Sequence, residues 1–445
     1  MGINVKNLAT NYKTHIETRL SNARTILERS GLESMVIHSG KRKYIFQDDM
    51  TYPYKANSLF LEWVPIVNNP NCWIVINKKD KPKLVFFQPI DFWHSVPADP
   101  TEYWVDEFDF VKLANVDDVN TFLPSDKSKS VYLGEYTEDA KLLGFDKINK
   151  SSVLDYLHYH RAYKTDYQLG CLREANRIGV MGHQAAKAAF HGGGSEFEIH
   201  LEYLRAVSQT QEEIPYGLIM GMNQNAAVLH YHNFDRTKYS AKDTHSFLID
   251  AGARFNGFAS DITRTHAFRE SEFADLIKRM TADQIELVNA LTLGESYAQA
   301  HYKSLEAIAK ILIDFDFVRV SQEEILAKDL VKPFYPHGLG HHLGIQVHDL
   351  GANLEDDKGT MAQRSEKYPT LRATRVLEPR MVYTVEPGLY FIDSLLDEVK
   401  ASENSKVFNW SRIEEFKKFG GIRIEDNVIL HADRNENMTR ELGLE

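Results

Sequence analysis

The first 160 residues combine one long amphipathic stretch with several short apolar runs. Residues 10–30 carry the hydrophobic spacing of a helix, and the segment SMVIHSG that follows, 34–40, is typical of a strand. Further strand-like runs are NCWIVIN at 71–77, KPKLVFFQPI at 81–90 and VYLGE at 131–135. Because helical and strand patterns are mixed over this length, they predict an α/β lobe.

The pattern changes near residue 160. Thr165 with Gln168, and Ser195 with Glu198, have the spacing of capping boxes that open amphipathic helices. From there to the end, long helical stretches alternate with strands that suggest antiparallel pairing. We therefore expect a domain boundary near residue 160.

The length of the chain supports two domains. Since 445 residues exceed what one hydrophobic core usually organises, we expect a lobe at 1–160 and a second domain at 161–445, together an α+β protein. Hydrophobic residues make up 43% and charged residues 26% of the chain, which is ordinary for a folded globular protein.

Net charge and cysteine content limit the partners and the compartment. The formal net charge of -11 argues against a nucleic-acid partner, because phosphate contacts need a basic face. Cys72 and Cys171 match no zinc or redox spacing, which indicates incidental buried thiols in a reducing cytoplasm. No segment approaches the roughly 20 apolar residues of a membrane span. We expect a soluble cytoplasmic protein.

The segment 246–265 predicts a β-hairpin that turns at an Asn-Gly pair. In that register Asp250 lies opposite Thr263, and Asp261 is the diagonal neighbour of Asp250. The two carboxylates then share one face with backbones roughly 7–8 Å apart. Two like charges so placed need a cation or a proton. Aspartates are also common in ordinary hairpins, so the pair alone does not define a metal site.

A glycine-rich stretch at 335–349 concentrates histidines. Four of the 18 histidines fall within it: His337, His341, His342 and His348. A single histidine is more often structural than a ligand. Four of them among glycines that allow close backbone approach favour a functional site.

Two further strand-like segments each contain a glutamate within an apolar run: Glu386 in VYTVEPG and Glu425 in GGIRIEDNVI. A buried carboxylate without compensation costs several kcal/mol, so each should be paired, protonated or bound to a metal. Arg423, two residues before Glu425, offers the alternative of a structural ion pair with that glutamate.

These groups together make a coherent ligand set. Four carboxylates balance the charge of two divalent cations, and one neutral imidazole completes a mostly oxygen environment that suits Mn²⁺, with Co²⁺ and Zn²⁺ as substitutes. Two such ions can activate water for attack on a carbonyl or phosphoryl centre. The expected reaction is hydrolysis. The set is Asp250, Asp261, His341, Glu386 and Glu425.

The order Asp, Asp, His, Glu, Glu resembles that of the pita-bread metallopeptidases, which include methionine aminopeptidases, aminopeptidase P and prolidase. The resemblance covers nearly the whole chain, including FQDDMTYP at 46–53 and DFWHSVP at 91–97, and is strongest to the bacterial Xaa-Pro dipeptidases also known as organophosphorus acid anhydrolases. It implies a C-terminal pita-bread domain with a curved antiparallel sheet. It further implies an N-terminal lobe that forms dimer contacts and a lid over the substrate pocket.

The same resemblance implies roles for individual residues. Asp261 and Glu425 would contact both ions. His230, His337 and His348 would line the pocket and hold the scissile carbonyl and the oxyanion, and Arg423 is a further catalytic candidate. Arg372 would bind the free carboxylate of the substrate, a task that suits a planar guanidinium. Tyr216 would line the pocket for the leaving group, and Asp49 would reach the site of a neighbouring subunit in a homodimer.

The implied activity is hydrolysis of Xaa-Pro dipeptides, with Glu386 as proton shuttle and with organophosphorus triesters and fluorophosphates as side substrates. An aminopeptidase P-like enzyme acting on longer Xaa-Pro peptides is the alternative within the same chemistry. A non-catalytic pita-bread binding module is an alternative of another class, since fold does not fix function.

Overall fold

The structure is a computed structural model that describes residues 5–363, 365–369 and 371–445. The chain divides into two compact units. The first comprises Met1–Cys171, Phe255–Phe258 and Leu354–Met361, and the second comprises Leu172–Arg254, Ala259–Asn353 and Ala362–Glu445.

The first unit is built on a mixed six-stranded sheet of order β4-β3-β2-β1-β5-β6. Strand β1 pairs antiparallel with β2 and parallel with β5. Its elements are α1 Val5–Arg29, β1 Ser34–His38, α2 Ser58–Leu61, β2 Trp73–Asn77, β3 Lys83–Phe87, β4 Asp109–Leu113, β5 Ser130–Leu133, α3 Thr137–Leu142, β6 Lys147–Ile148 and α4 Ser151–Arg161. The helix and the four strands expected from the sequence are all present.

Strand β1 lies at the centre of this sheet and is buried along its whole length. Val36 of β1 packs in one apolar cluster with Trp73, Val85 and Tyr132 from the flanking strands. An apolar run without alternation is what a strand covered on both faces needs.

The second unit contains the remaining helices and strands, except that Phe255 and Phe258, each part of a two-residue strand, belong to the first unit. Helix α5, Asp166–His191, begins in the first unit and continues into the second. The other elements are α6 Glu196–Val207, β7 Ile219–Met222, β8 Ser246–Asp250, β9 Arg254–Phe255, β10 Phe258–Ala259, β11 Thr263–Ala267, α7 Glu272–Asn289, α8 Tyr297–Asp314, α9 Gln322–Ala327, β12 Val382–Val385, β13 Gly388–Tyr390, α10 Asp393–Lys400, α11 Trp410–Lys417, β14 Gly421–Arg423, β15 Asp426–Leu430 and β16 Asn435–Asn437.

Both capping boxes expected from the sequence form. At α6 the Ser195 hydroxyl accepts from the Glu198 N–H, and the Glu198 carboxylate accepts from the Ser195 N–H. Ahead of α5 the Thr165 N–H donates to Gln168 Oε1 at 2.9 Å. The side chains satisfy N–H groups that the first helical turn leaves without partners.

Strands of the second unit pair antiparallel in the groups β7-β8-β11, β12-β15-β16 and β13-β14, and the short strands β9 and β10 pair with each other between β8 and β11. Thr263 pairs with Asp250 across β8 and β11, the register expected from the sequence. Asn256 and Gly257 have φ values of 51° and 89°, as a tight hairpin turn requires. A bridge between Thr263 and Glu425 joins the first group to the segment before β15.

Within the described residues, every helix is too short or too polar to cross a bilayer.

Candidate metal centre

The five expected ligands lie at strand ends and strand interruptions of the second unit. Asp250 ends β8, and Asp261 precedes β11. Glu386 occupies the gap between β12 and β13, and Glu425 the gap between β14 and β15. Each glutamate keeps its backbone N–H bonded, to Leu339 O at 2.8 Å and to Thr263 O at 3.0 Å respectively, so the interruptions leave no buried donor unsatisfied there.

His341 reaches the same point from the glycine-rich stretch 335–349, which is irregular as expected. Gly340 allows this approach, because a Cβ at that position would lie 2.2 Å from Thr384 O and 2.6 Å from Tyr297 Oη. The His341 N–H donates to Thr384 Oγ1 at 3.1 Å, which fixes the loop against β12.

The ligand atoms are close enough to hold a metal. One ligand atom from each of Asp261, His341 and Glu425, all buried, lies within 4.8 Å of the others. His341 Nε2 is 3.3 Å from Asp261 Oδ2 and 3.6 Å from Glu386 Oε1. These are the spacings expected of groups that converge on a common cation.

The tautomer of His341 also supports a cation-binding site at this point. Its Nδ1 lies 2.9 Å from the carbonyl of His342, which can only accept, so Nδ1 carries the proton. The Nε2 lone pair then faces two carboxylates, an arrangement that needs a proton or a cation between them. A carbonyl that holds the other ring nitrogen is the usual support for a metal-binding imidazole.

The pKa shifts of the buried carboxylates also favour a metal ion at this site. Burial, followed by the charges of Asp261, Glu386 and Asp250, raises the pKa of Glu425 well above its ordinary value. Burial is also the main cause that raises the pKa of Glu386 to about 7. Since buried like charges stabilise each other's protonated forms, this cluster would gain from a divalent ion. The residues therefore fit the metal that their chemistry implies.

Arg423 pairs with Asp250, whereas the sequence offered a structural ion pair with Glu425 as the alternative to a metal-bound glutamate; the catalytic role of Arg423 stays a prediction. Its Nη2 lies 2.6 Å from Asp250 Oδ2, and both groups are buried. That alternative assumed a continuous strand in which residues two apart share a face. Because the strand is interrupted between β14 and β15, the alternation of side-chain faces does not extend to Glu425.

A chain of hydrogen bonds continues from Arg423. Its Nη1 donates to Tyr390 Oη at 2.8 Å, and Tyr390 Oη lies 2.9 Å from His337 Nε2. His337 Nδ1 donates to Gly338 O at 2.8 Å, so Nε2 accepts from the tyrosine hydroxyl. Burial, with Arg423 as the next cause, lowers the pKa of His337 to about 3, which keeps this imidazole neutral.

The hydroxyl of Tyr216 is within hydrogen-bonding distance of two candidate ligands. It lies 2.8 Å from Asp250 Oδ1 and 2.6 Å from Asp261 Oδ1. It therefore orients these two groups. Its expected place in a leaving-group pocket stays a prediction.

A single cavity of about 230 Å³ brings the expected site residues together. Its lining includes Asp250, Asp261, His341, Glu386, Glu425, His230, His337, His348, Arg372 and Arg423. His348 packs edge-on against His341, with ring centroids 4.4 Å apart. The fourth histidine of the cluster, His342, is instead buried edge-on against Tyr383.

Arg372 is exposed at this cavity. Its guanidinium makes no hydrogen bond or ion pair to any residue in 5–363, 365–369 or 371–445, although its backbone carbonyl accepts from Asn353. Because no described residue offers it an anionic partner, this cationic group at the cavity is available for a carboxylate from a ligand.

Asp49 belongs to the first unit. It is exposed in a short hairpin-like loop closed by the pairing of Tyr44 with Thr51. Its expected contact with a neighbouring subunit stays a prediction.

Some residues that support the centre were not anticipated. Thr263 Oγ1 donates to Glu425 Oε2 at 2.7 Å. The Asn427 side chain accepts from the Asp261 N–H at 3.0 Å and donates to the Asp261 carbonyl. Thr263 was recognisable as the cross-strand partner of Asp250, and Asn427 as a polar residue inside an apolar run. Tyr390 carries no such signal.

Comparisons with known proteins identify the family of this chain. The family model described as the N-terminal domain of Xaa-Pro dipeptidase matches residues 10–159, and that of metallopeptidase family M24 matches residues 170–432. The chain belongs to metallopeptidase family M24. Like other members of this M24 family it is a metal-dependent hydrolase.

Relatives and solved structures extend the match over the full length. A protein of Pseudoalteromonas haloplanktis named Xaa-Pro dipeptidase is 52% identical, over 99% of this chain and 100% of its own. One of Shewanella oneidensis with the same name is 48% identical, over 98% and 99%. A histidine-to-alanine variant of Escherichia coli aminopeptidase P superposes with a TM-score of 0.73 at 20% identity, covering 98% and 96%. Aminopeptidase P II from Yersinia pestis gives 0.72 at 20%, covering 98% and 97%. The likeness to these M24 structures confirms the expected fold.

Proposed function

We propose that this M24 metallopeptidase is a dipeptidase that hydrolyses Xaa-Pro dipeptides. The observation that carries the proposal is the guanidinium of Arg372, which has no partner among the described residues and lies at the cavity that contains the five candidate ligands. The cavity volume of about 230 Å³ lies below the roughly 300–1,000 Å³ of pockets for drug-sized ligands, which suits a substrate as small as a dipeptide. The names of the relatives support the same substrate class.

We further propose that Asp250, Asp261, His341, Glu386 and Glu425 hold two divalent ions, with Mn²⁺ as the preferred metal. When bound, such ions activate water for attack and stabilise negative charge on the substrate.

In this proposal the protein residues divide the remaining work. Arg372 binds the terminal carboxylate of the dipeptide, while His230, His337 and His348 orient the scissile carbonyl. The neutral His337 donates no proton from Nε2 while Tyr390 holds it, so its part is to position. Glu386 accepts and returns a proton at its carboxylate.

The proline of the substrate explains why such a site is needed. A prolyl amide has no N–H, so an enzyme cannot recognise it through that donor. Recognition through the charged ends of a dipeptide avoids the problem and excludes longer chains.

Stripping and returning metal tests the proposed cofactor and the reaction together. We expect a chelator-treated preparation to lose Gly-Pro hydrolysis, and Mn²⁺ to restore more activity than Co²⁺ or Zn²⁺. Persistent Gly-Pro hydrolysis at undetectable metal content would contradict the proposal.

An aminopeptidase P-like activity on longer Xaa-Pro peptides is the second candidate, favoured by the superposition on aminopeptidase P. It predicts that Gly-Pro-Gly is cleaved at least as well as Gly-Pro. We set aside the alternative of a non-catalytic module, because the chain is a metal-dependent hydrolase of family M24 and its five candidate ligands line one cavity.

We also propose a side activity on organophosphorus triesters and fluorophosphates, whose phosphorus is an electrophile for the same activated water. If one site does both, a Xaa-Pro dipeptide should inhibit fluorophosphate hydrolysis competitively.

For the assembly we propose a homodimer, in the cytoplasm, where both free cysteines would remain reduced. The first unit exposes large apolar side chains in two loops, Phe46 and Met50 beside Asp49, and Ile90, Phe92 and Trp93. Exposed apolar groups concentrated in this way are typical of protein interfaces, and a second copy of this chain is the partner we propose.

A further inference from the structure

His230 reaches the cavity on a loop that follows β7. Residues 223–227 form a 3-10 helix, and the chain then runs without regular structure to residue 235. The His230 side chain is exposed, and its ring makes no hydrogen bond or ion pair to another described residue. Its position therefore depends on how the backbone of residues 223–235, the His230 loop, is held.

Glu196 holds both ends of the His230 loop. Its Oε1 accepts from the Met222 N–H at 2.7 Å, immediately before the loop, and from Asn225 Nδ2 at 2.9 Å. Its Oε2 accepts from the Asp235 N–H at 2.8 Å, at the end of the loop. One carboxylate thus joins two backbone points that are 13 residues apart in sequence.

A second connection reaches the neighbour of His230. Asn225 Nδ2 also donates to Tyr231 Oη at 2.9 Å. Tyr231 is buried in an apolar cluster that includes Tyr390, the residue bonded to His337. Asn225 thus links Glu196 to Tyr231, the residue that directly follows His230.

Helix capping does not explain why a buried glutamate stands at position 196. Ser195 and Glu198 already form the capping box of α6, and an exposed glutamate at the first helical position would interact with the helix dipole equally well. Glu196 is instead completely buried. A buried carboxylate is costly unless it is hydrogen-bonded, and here its hydrogen bonds go to the His230 loop.

We propose that Glu196 is a positioning residue that sets the location of His230 in the substrate cavity. It acts by fixing both ends of the loop and does not touch the substrate. This rests on the proposed role of His230 in orienting the scissile carbonyl.

Glu196→Gln tests the proposal, because it keeps the shape but turns one acceptor oxygen into a donor that faces N–H groups. We expect kcat/KM for Gly-Pro to fall at least about 10-fold, the effect of losing a hydrogen bond to a charged group. Metal content should not change. Glu198→Gln, on the same turn of α6, is the matched control and should keep the parent kcat/KM.

A double-mutant cycle with His230→Ala separates positioning from general loss of structure. If Glu196 acts through His230, then Glu196→Gln should cost less than about two-fold in the His230→Ala background. Should Glu196→Gln fail to fold, Glu196→Asp, which is shorter by one methylene, carries the same expectation.

Multiplicative losses in the cycle, or a fully active Glu196→Gln enzyme, would overturn the positioning role while leaving the proposed function intact. Full activity of His230→Ala alone would instead refute the proposed role of His230, and the inference with it.

Discussion

Asp261 is a candidate ligand that is held through both its side chain and its backbone. Its carboxylate faces His341 and Tyr216, and its backbone is held on both sides by the side chain of Asn427. Such double anchoring is what a ligand shared by two ions would need, because its oxygens must be fixed in two directions.

Asp261→Asn should reduce metal binding. The amide supplies one ligand oxygen fewer and no charge, so we expect the affinity for at least one ion to fall by more than about 10-fold. Metal analysis after matched dialysis measures this. Asp316→Asn, at an exposed ion pair with Arg319, is the control, and equal metal content in both variants would count against Asp261 as a ligand.

Arg372→Ala should weaken substrate binding. Loss of a hydrogen-bonded charge pair worth about 1.5–3 kcal/mol raises KM for Gly-Pro by roughly 10- to 150-fold, with a smaller change in kcat. Steady-state kinetics give both values. Arg205→Ala removes an exposed arginine that pairs with Glu202 and should have no effect. Unchanged KM in Arg372→Ala would refute the assignment.

At this scale the sequence predicts residue type well and partners poorly. The five candidate ligands were predicted because buried carboxylates and clustered histidines need compensation, and the structure brings them to one cavity, while their role as ligands stays a prediction. The pairing of Arg423 with Asp250, and the contacts of Tyr390 and Asn427, depend on where strands break, which no local pattern records.

At the scale of elements, the centre is made where strands are interrupted. Glu386 and Glu425 lie in gaps between strand halves, and Gly340 lets the histidine-rich stretch approach β12. The hairpin register and both capping boxes were predictable from short-range rules. The gaps were not, because VYTVEPG and GGIRIEDNVI each look like one apolar strand.

Gly340→Ala should destabilise this arrangement. The added Cβ would meet a backbone carbonyl that cannot move independently of β12, so we expect a loss of about 1–3 kcal/mol in unfolding free energy and weaker metal binding. Denaturant unfolding of the metal-loaded protein measures the first quantity.

Gly170→Ala is the matched control. Gly170 lies inside α5, and a Cβ there would make only an ordinary contact with Leu8. Alanine should be neutral or stabilise by up to about 1 kcal/mol. Similar stability of both variants would show that the close approach at Gly340 is unimportant.

For the whole molecule, the sequence predicted two domains and a pita-bread metallopeptidase, and the fold and family are confirmed. The subunit number could not be derived from hydrophobic patterns, because loop residues such as Phe92 and Trp93 follow no helical or strand period. Their exposure in the structure makes the assembly testable.

Sedimentation velocity should show a homodimer for the parent chain. Replacing Ile90 and Phe92 together by Asp should shift it to monomer, since burying two charges at an interface is unfavourable. Leu142→Asp, at an equally exposed apolar residue of α3, should leave the dimer intact. A monomeric parent chain would contradict the proposed assembly.

The central claim is that the M24 site acts on Xaa-Pro dipeptides, and the ratio of kcat/KM for Gly-Pro to that for Gly-Pro-Gly tests it most directly. In the tripeptide the proline carboxylate becomes an amide and no longer pairs with Arg372. With Mn²⁺-loaded protein we predict a ratio of at least about 10, the value of one lost charge-assisted contact. A ratio of one or below would contradict the dipeptidase and indicate an aminopeptidase that accepts longer peptides.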